Sequence, residues 1–168
     1  MIANEHIILR AVELDDIDRL YDWENDHSAI FDAPLSLQNI TDYVMNYRAN
    51  LYADGQLRLM IVERAGGNTV GCIDLYNFNS ADRRAGTGIY IAEPYRRRGL
   101  ASAAIEAMVE YAAGRLGLHQ LWATCAVSNE ASCRLFSSHG FEQAGRLRAF
   151  VRCGSTYEDA IIMQRIFE

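Results

Sequence analysis

The sequence predicts a mixed α/β fold, and three observations lead there. Three strand-like runs in mid-chain, residues 57–64, 69–78 and 83–93, are joined by short turns rich in Gly, Asn and Asp, so they pair antiparallel. The second half alternates strand and helix patterns at 83–93, 99–115, 119–127 and 129–138, as strand–helix–strand units do. The 168 residues are 50% hydrophobic, which suits a single domain over residues 1–168 with a full core.

The elements follow in order. Residues 7–11, IILRA, read as a short strand. Asp15 or Asp16 caps a helix to about Trp23, with Ile17, Leu20 and Tyr21 on one face. Glu24 to Pro34 is polar and turn-prone. Ser36 caps a second helix through Ile40, Val44 and Tyr47 to about Ala53, closed by Asp54-Gly55. Ala65-Gly66-Gly67-Asn68 has hairpin chemistry between the first two central strands. Pro94 ends the third. The helix from about Gly99 to Arg115 carries Ala104, Met108 and Tyr111 on one face and stops at Gly117. Asn129 caps the next helix, which ends at His139-Gly140 with Phe141 packing back. Two final strands, 143–152 and 157–167, turn at Gly154-Ser155.

Composition narrows the function classes. Residues 1–56 hold 11 Asp and Glu against 3 Arg, and residues 57–168 hold 11 against 13, for a formal charge of −6. The first third therefore attracts cations and the remainder tolerates an anion. An acidic chain without a long basic face is not a nucleic-acid binder. No apolar run approaches the roughly 20 residues of a membrane span. The opening MIANEHIILR has Glu5 and His6 where a secretory signal needs apolar residues, so a soluble, cytoplasmic protein is expected. Cys72, Cys125, Cys133 and Cys153 form no CxxC pair and have no His at zinc-ligand spacing; they are expected as buried reduced thiols, with no metal.

Charge gathers where the helix near Gly99 begins. In Glu93-Pro94-Tyr95-Arg96-Arg97-Arg98-Gly99-Leu100-Ala101-Ser102, a strand ends and a helix opens on three arginines and a glycine. The first N–H groups of a helix lack internal partners and carry partial positive charge. A phosphate group placed there accepts several hydrogen bonds at once. Gly99 has no Cβ and admits a close approach of ligand to backbone. About 30 residues later, Asn129 opens another helix directly after a strand. The two helix starts fall at one edge of a sheet, where ligands of α/β folds bind.

The pair Arg96-x-x-Gly99-x-Ala101 and Asn129-x-x-Ser132-x-x-x-Phe136-x-x-x-Gly140-Phe141 resembles the acetyl-CoA motifs of the GNAT N-acetyltransferases. The opening LRAVELDDIDRLYDWEND and the ending GRLRAFVRCGSTYEDAIIM resemble the branch of ribosomal-protein and spermidine acetyltransferases. The resemblance implies a central, mostly antiparallel sheet with one splayed parallel strand pair and helices on both faces. It implies acetyl-CoA as co-substrate, with the backbone of Ile89, Tyr90 and Ile91 along the pantetheine arm beyond a bulge at those residues. Backbone N–H groups of Arg98, Gly99, Leu100, Ala101 and Ser102 then hold the pyrophosphate, and Arg96, Arg97 or Arg98 reaches the 3′-phosphate. Asn129 contacts the pantetheine, and Phe136 stands near the thiol.

Two departures bear on catalysis. Where many members carry a proton-donating Tyr, this chain has Phe136, which cannot donate. Where many carry a Glu base, the strand reads Ala85-Gly86-Thr87-Gly88-Ile89. Asp74, inside GCIDLYNF, is the candidate base; its alternative is an ion pair with Arg58 or Arg84. Tyr157 or Tyr76 is the candidate replacement acid, against a core role for each. His119 and His139 read as structural. Trp23, Glu24, Asp26, Phe31 and Asp32 fall where the resemblance places the acceptor wall, and acids interleaved with aromatics suit a cationic amine. The expected activity is transfer of acetyl to a primary amine, a polyamine-like small molecule or a protein N-terminus. A homodimer is the candidate assembly. A non-catalytic acyl-CoA-binding domain is the alternative.

Overall fold

The computed structural model describes residues 2–26 and 34–168. They divide into two compact units, residues 11–49 and residues up to 10 together with 50–168.

In the smaller unit, a 3-10 turn (Leu14–Asp16) leads into α1 (Ile17–Glu24), and α2 spans Leu37–Asn46. Asp16 is fully buried; its carboxylate accepts the Glu13 N–H at 2.9 Å and meets Arg19 at 3.3 Å. Ser36 caps α2, accepting the Asn39 N–H at 3.1 Å, and Asn39 accepts the Ser36 N–H at 3.0 Å. The helix expected to reach Ala53 instead stops at Asn46. Tyr47 is extended and Ala49 is left-handed at φ 49°. Asn50 then offers a fresh cap, accepting the Ala53 N–H at 3.2 Å, and a separate turn α3 (Leu51–Asp54) begins in the larger unit.

The larger unit is built on one sheet. Its strands are β1 (Ile2–Ala3), β2 (Ile7–Ala11), β3 (Leu57–Glu63), β4 (Thr69–Asn79), β5 (Arg84–Ile91), β6 (Gln120–Ala126), β7 (Glu142–Cys153) and β8 (Thr156–Ile166). They lie in the order β1-β2-β3-β4-β5-β6-β8-β7, mostly antiparallel, with β5 and β6 the parallel pair. The β3–β4–β5 meander matches its turns. The final hairpin enters with β8, not β7, against β6, from Gln120↔Ile166 to Ala126↔Ala160.

Two helices serve the connections, α4 (Leu100–Glu110) and α5 (Glu130–Ser138). Ile73 and Leu75 of β4, Ala85 of β5 and Leu121 of β6 share a buried cluster with Ile105 and Met108 of α4 and Phe136 of α5. The helix expected to continue to Arg115 changes to a π-helical turn at Tyr111–Arg115. The end of α5 explains the Gly140-Phe141 pair. The Phe141 N–H reaches the Phe136 carbonyl at 3.2 Å and the Gly140 N–H reaches Ser137 at 3.1 Å, with Gly140 at φ 77°. Phe141 then stacks edge-on against Phe136, centroids 5.0 Å apart, the hydrophobic closure of a Schellman end. None of the four cysteines forms a disulfide among the described residues; Cys72 and Cys125 are buried as expected, but Cys133 is half-buried and Cys153, at the β7–β8 turn, is exposed.

Candidate active site

The junction between β5 and α4 presents an open helix start. Gly99 stands before α4 at φ 77°, no side chain caps the helix, and its first internal bond runs from the Ala103 N–H to the Gly99 carbonyl. A Cβ at Gly99 would meet nothing within 4 Å, so the turn is open on that side. The three arginines divide their work. Arg96 donates through Nε to the Ile91 carbonyl at 2.8 Å and lies over the Tyr90 ring. Arg98 donates through Nη2 to Glu63 at 2.6 Å and lies over Tyr95. Arg97 is exposed, left-handed at φ 60°, and has no ion-pair partner among the described residues. It is the guanidinium left for a ligand. Glu63 is buried at the end of β3 and also accepts from the Asn68 amide at 2.7 Å. It therefore ties the β3–β4 hairpin to the arginine loop, a link with no local signal in the sequence.

A cleft of about 490 Å³ lies beside this turn, bordered by His6, Glu63, Arg98, Gly99, Ser102 and Glu106. Its carboxylates disfavour a polyanion inside it. The first turn of α4 borders this cleft through Gly99, Leu100 and Ser102, and is open at Gly99. Ser102 Oγ lies 2.8 Å from His139 Nε2, which joins that turn to the end of α5. Burial pushes the His139 imidazole below its usual range, outweighing Glu106, so the ring holds this bond uncharged.

The sheet opens beside the junction. β5 and β6 pair only over Arg84↔Gln120, Ala85↔Leu121 and Gly86↔Trp122. Beyond that point β5 stays on β4 and β6 stays on β8, so the two diverge as a V. The bulge expected at Ile89, Tyr90 and Ile91 is absent: these residues keep regular register with Ile73, Cys72 and Gly71. The opening comes from lost β5–β6 pairing after Gly86, because each strand follows its other neighbour. Ile89, Tyr90 and Ile91 thus form one side of the V, and Thr87, the first residue past the last pair, has a buried hydroxyl without a partner among the described residues.

The remaining candidates separate. Asn129 caps α5 by accepting the Ser132 N–H at 3.1 Å. Phe136 is 3% exposed, inside the core. Asp74 lies opposite Arg58 in register, and the guanidinium donates to both its oxygens at 2.9 and 2.8 Å. Of the two arginines named for it, Arg58 is the partner, while Arg84 pairs with Asp82. The Asp74 side chain is 27% exposed, so it is only partly buried. Tyr157 is 64% exposed near the β7–β8 turn, across from Arg152. Trp23 and Glu24 belong to the last turn of α1, in the other unit. Phe31 and Asp32 lie outside the described residues. Tyr76, by contrast, sits against Gly86 at the vertex of the V, with its ring edge-on to Trp122, centroids 5.1 Å apart. The Gly86-x-Gly88 alternation within a strand was the available signal that something packs closely there.

Comparisons with known proteins agree with this geometry. The acetyltransferase (GNAT) domain family matches residues 6–142. The spermidine N(1)-acetyltransferase of Vibrio cholerae is 26% identical over 159 residues, covering 93% of this chain and 90% of that protein. A crystal structure of spermidine N-acetyltransferase from Vibrio cholerae in complex with CoA and spermine superposes with TM-score 0.86 at 24% identity, covering 97% of this chain and 96% of that one. A dodecameric structure of the Vibrio cholerae enzyme superposes with TM-score 0.83 at 24% identity over 97% and 95% of the two chains. These structural likenesses establish a shared fold.

Proposed function

Because the chain belongs to the GNAT acetyltransferase family, we propose that it moves the acetyl group of acetyl-CoA directly onto a cationic primary amine. The uncapped start of α4, with open Gly99 and free Arg97 at the end of a strand that leaves its parallel neighbour, is the observation that carries this reading. The residues fit the co-substrate: first-turn N–H groups through Ser102 meet the pyrophosphate, Arg97 meets the 3′-phosphate, and β5 from Thr87 to Ile91, past its last pair with β6, runs beside the pantetheine arm. Asn129 Oδ1 is spent on its cap, which leaves the amide N–H groups for the pantetheine.

A polyamine is the favoured acceptor over a protein N-terminus. Residues 13–32 hold eight acids and one Arg, and a field of that sign draws a cation. The Vibrio cholerae relative is named for spermidine. The chain is also proposed to be cytoplasmic and to self-associate; light scattering reads the latter directly. Among the described residues no helix is long and apolar enough to cross a membrane. The burial of Phe136 and the pairing of Asp74 favour one other reading, a domain that binds acyl-CoA without turnover. CoA release measured against polyamines, amino acids and short peptides decides between them: release is expected fastest with polyamines, and a neutral or anionic acceptor faster than every cationic one overturns the proposed acceptor class.

An amine with pKa near 10.4 arrives protonated and must lose a proton before attack. Asp74 is proposed to receive that proton or hold the cation, with Arg58 fixing its orientation. Asp74→Asn is expected to lower kcat/KM at least tenfold, about 1.4 kcal/mol. It leaves acetyl-CoA binding intact and costs about 1 kcal/mol or less in stability, because the pair is partly exposed. Near-full activity at pH 7 would reduce Asp74 to a structural partner of Arg58.

A further inference from the structure

We propose that the Tyr76 hydroxyl, held across Gly86 and Gly88 where β5 and β6 part, donates a hydrogen bond to the thioester carbonyl oxygen as negative charge develops on it. This rests on the acetyl-transfer reading and adds to it a catalytic residue outside the two sequence motifs.

Tyr76 is opposite Gly86 in the β4–β5 register, and Gly86 is opposite Trp122 in the last β5–β6 pair. The ring therefore stands at the vertex of the V. A Cβ on Gly86 would lie 2.3 Å from Tyr76 Cε2 and 2.7 Å from Cζ, and one on Gly88 would lie 3.7 Å from Cε1. Both ring edges next to the hydroxyl thus lie over β5, and the phenol projects away from its own strand toward the opening. Gly86 has to lack a Cβ for the ring to lie there, whereas one at Gly88 would only touch it. Trp122 meets the ring edge-on at 85° and fixes its tilt.

The hydroxyl is unspent: it makes no hydrogen bond with the described residues, although the ring is half-buried. Burial, helped by Cys125 and Asp74, pushes the phenol up to about 12, so it stays a neutral donor through the working pH range. A thiol has pKa near 8.5, so a phenol at that value holds its proton rather than giving it to a leaving thiolate. The role left is charge stabilisation. The amine lone pair forms the C–N bond, and the carbonyl π pair moves to oxygen and accepts from Tyr76. On collapse the C–S bond breaks, sulfur leaves with the pair as thiolate, and the second proton on nitrogen passes to water.

Tyr76→Phe keeps the ring and removes only the donor. Loss of one such donor typically costs 10²–10³ in kcat, and about 10² is expected here. KM for the amine, the acetyl-CoA thermal shift and Tm should stay at parent values. Gly86→Ala displaces the ring and should lower kcat in the parent background but not further in the Tyr76→Phe background, since both act through one hydroxyl. Tyr76→Phe within twofold of the parent, or additive effects in the double variant, would overturn the inference alone. A parent that binds acetyl-CoA yet releases no CoA with any amine would overturn it together with the acetyl-transfer reading.

Discussion

Gly99→Glu abolishes the stabilisation that acetyl-CoA gives the parent protein. At a ligand concentration 100 times Kd, binding to the folded state alone contributes about 2.7 kcal/mol. For a chain of 168 residues that is a rise of roughly 5–10 °C in Tm. The substitution acts twice. A residue with Cβ at φ 77° costs about 1–2 kcal/mol of backbone strain, and a carboxylate enters the face that meets the pyrophosphate. Gly99→Ala separates the two effects. It carries the strain without the charge, and no atom lies within 4 Å of its new methyl group. Its Tm without ligand should fall as in Gly99→Glu, but most of the acetyl-CoA shift should survive. A parent without any shift removes acetyl-CoA as the ligand. A full shift in Gly99→Glu removes this turn as the phosphate site.

What the sequence disclosed follows from how local each device is. Caps and closures are decided within four or five residues, so Ser36, Asn129 and Gly140 were legible, as was the antiparallel meander with its short turns. The end of α2 was not, because its apolar spacing runs on past the break, which only the extended Tyr47 and the left-handed Ala49 mark. The position of the V depends on where two strands stop pairing, a property of neighbours 36 residues apart, and a bulge was expected where the strand is regular. Arg96, Arg97 and Arg98 are equivalent in the sequence. They become distinct only when the Ile91 carbonyl and Glu63 claim two of them. Asp74 shows the reverse case. An acid in a strand raised two readings, catalytic base and ion pair, and the register supplies Arg58 directly across from it.

Phe136→Ala is expected to be the most destabilising single change at the site. Phe136 is 3% exposed and Phe141, its edge-on partner, 1%. Removing such a ring from a core costs about 3–5 kcal/mol, transfer energy plus the cavity left behind. In a chain of 168 residues that lowers Tm by on the order of 10 °C. The loss also strips the hydrophobic closure from the end of α5, while the hydrogen bonds from Phe141 and Gly140 remain. Below its new Tm the variant should still shift upward with acetyl-CoA, because the phosphate turn lies on α4. Phe136→Tyr tests the other role of this position. A hydroxyl forced into the core without a partner costs about 1–3 kcal/mol and leaves kcat unchanged. A hydroxyl that reaches the thiol end leaves Tm unchanged and raises kcat at high pH, where the parent lacks an acid. With a ring this buried the first pattern is expected. The second would move Phe136 from the core to the lining of the co-substrate channel.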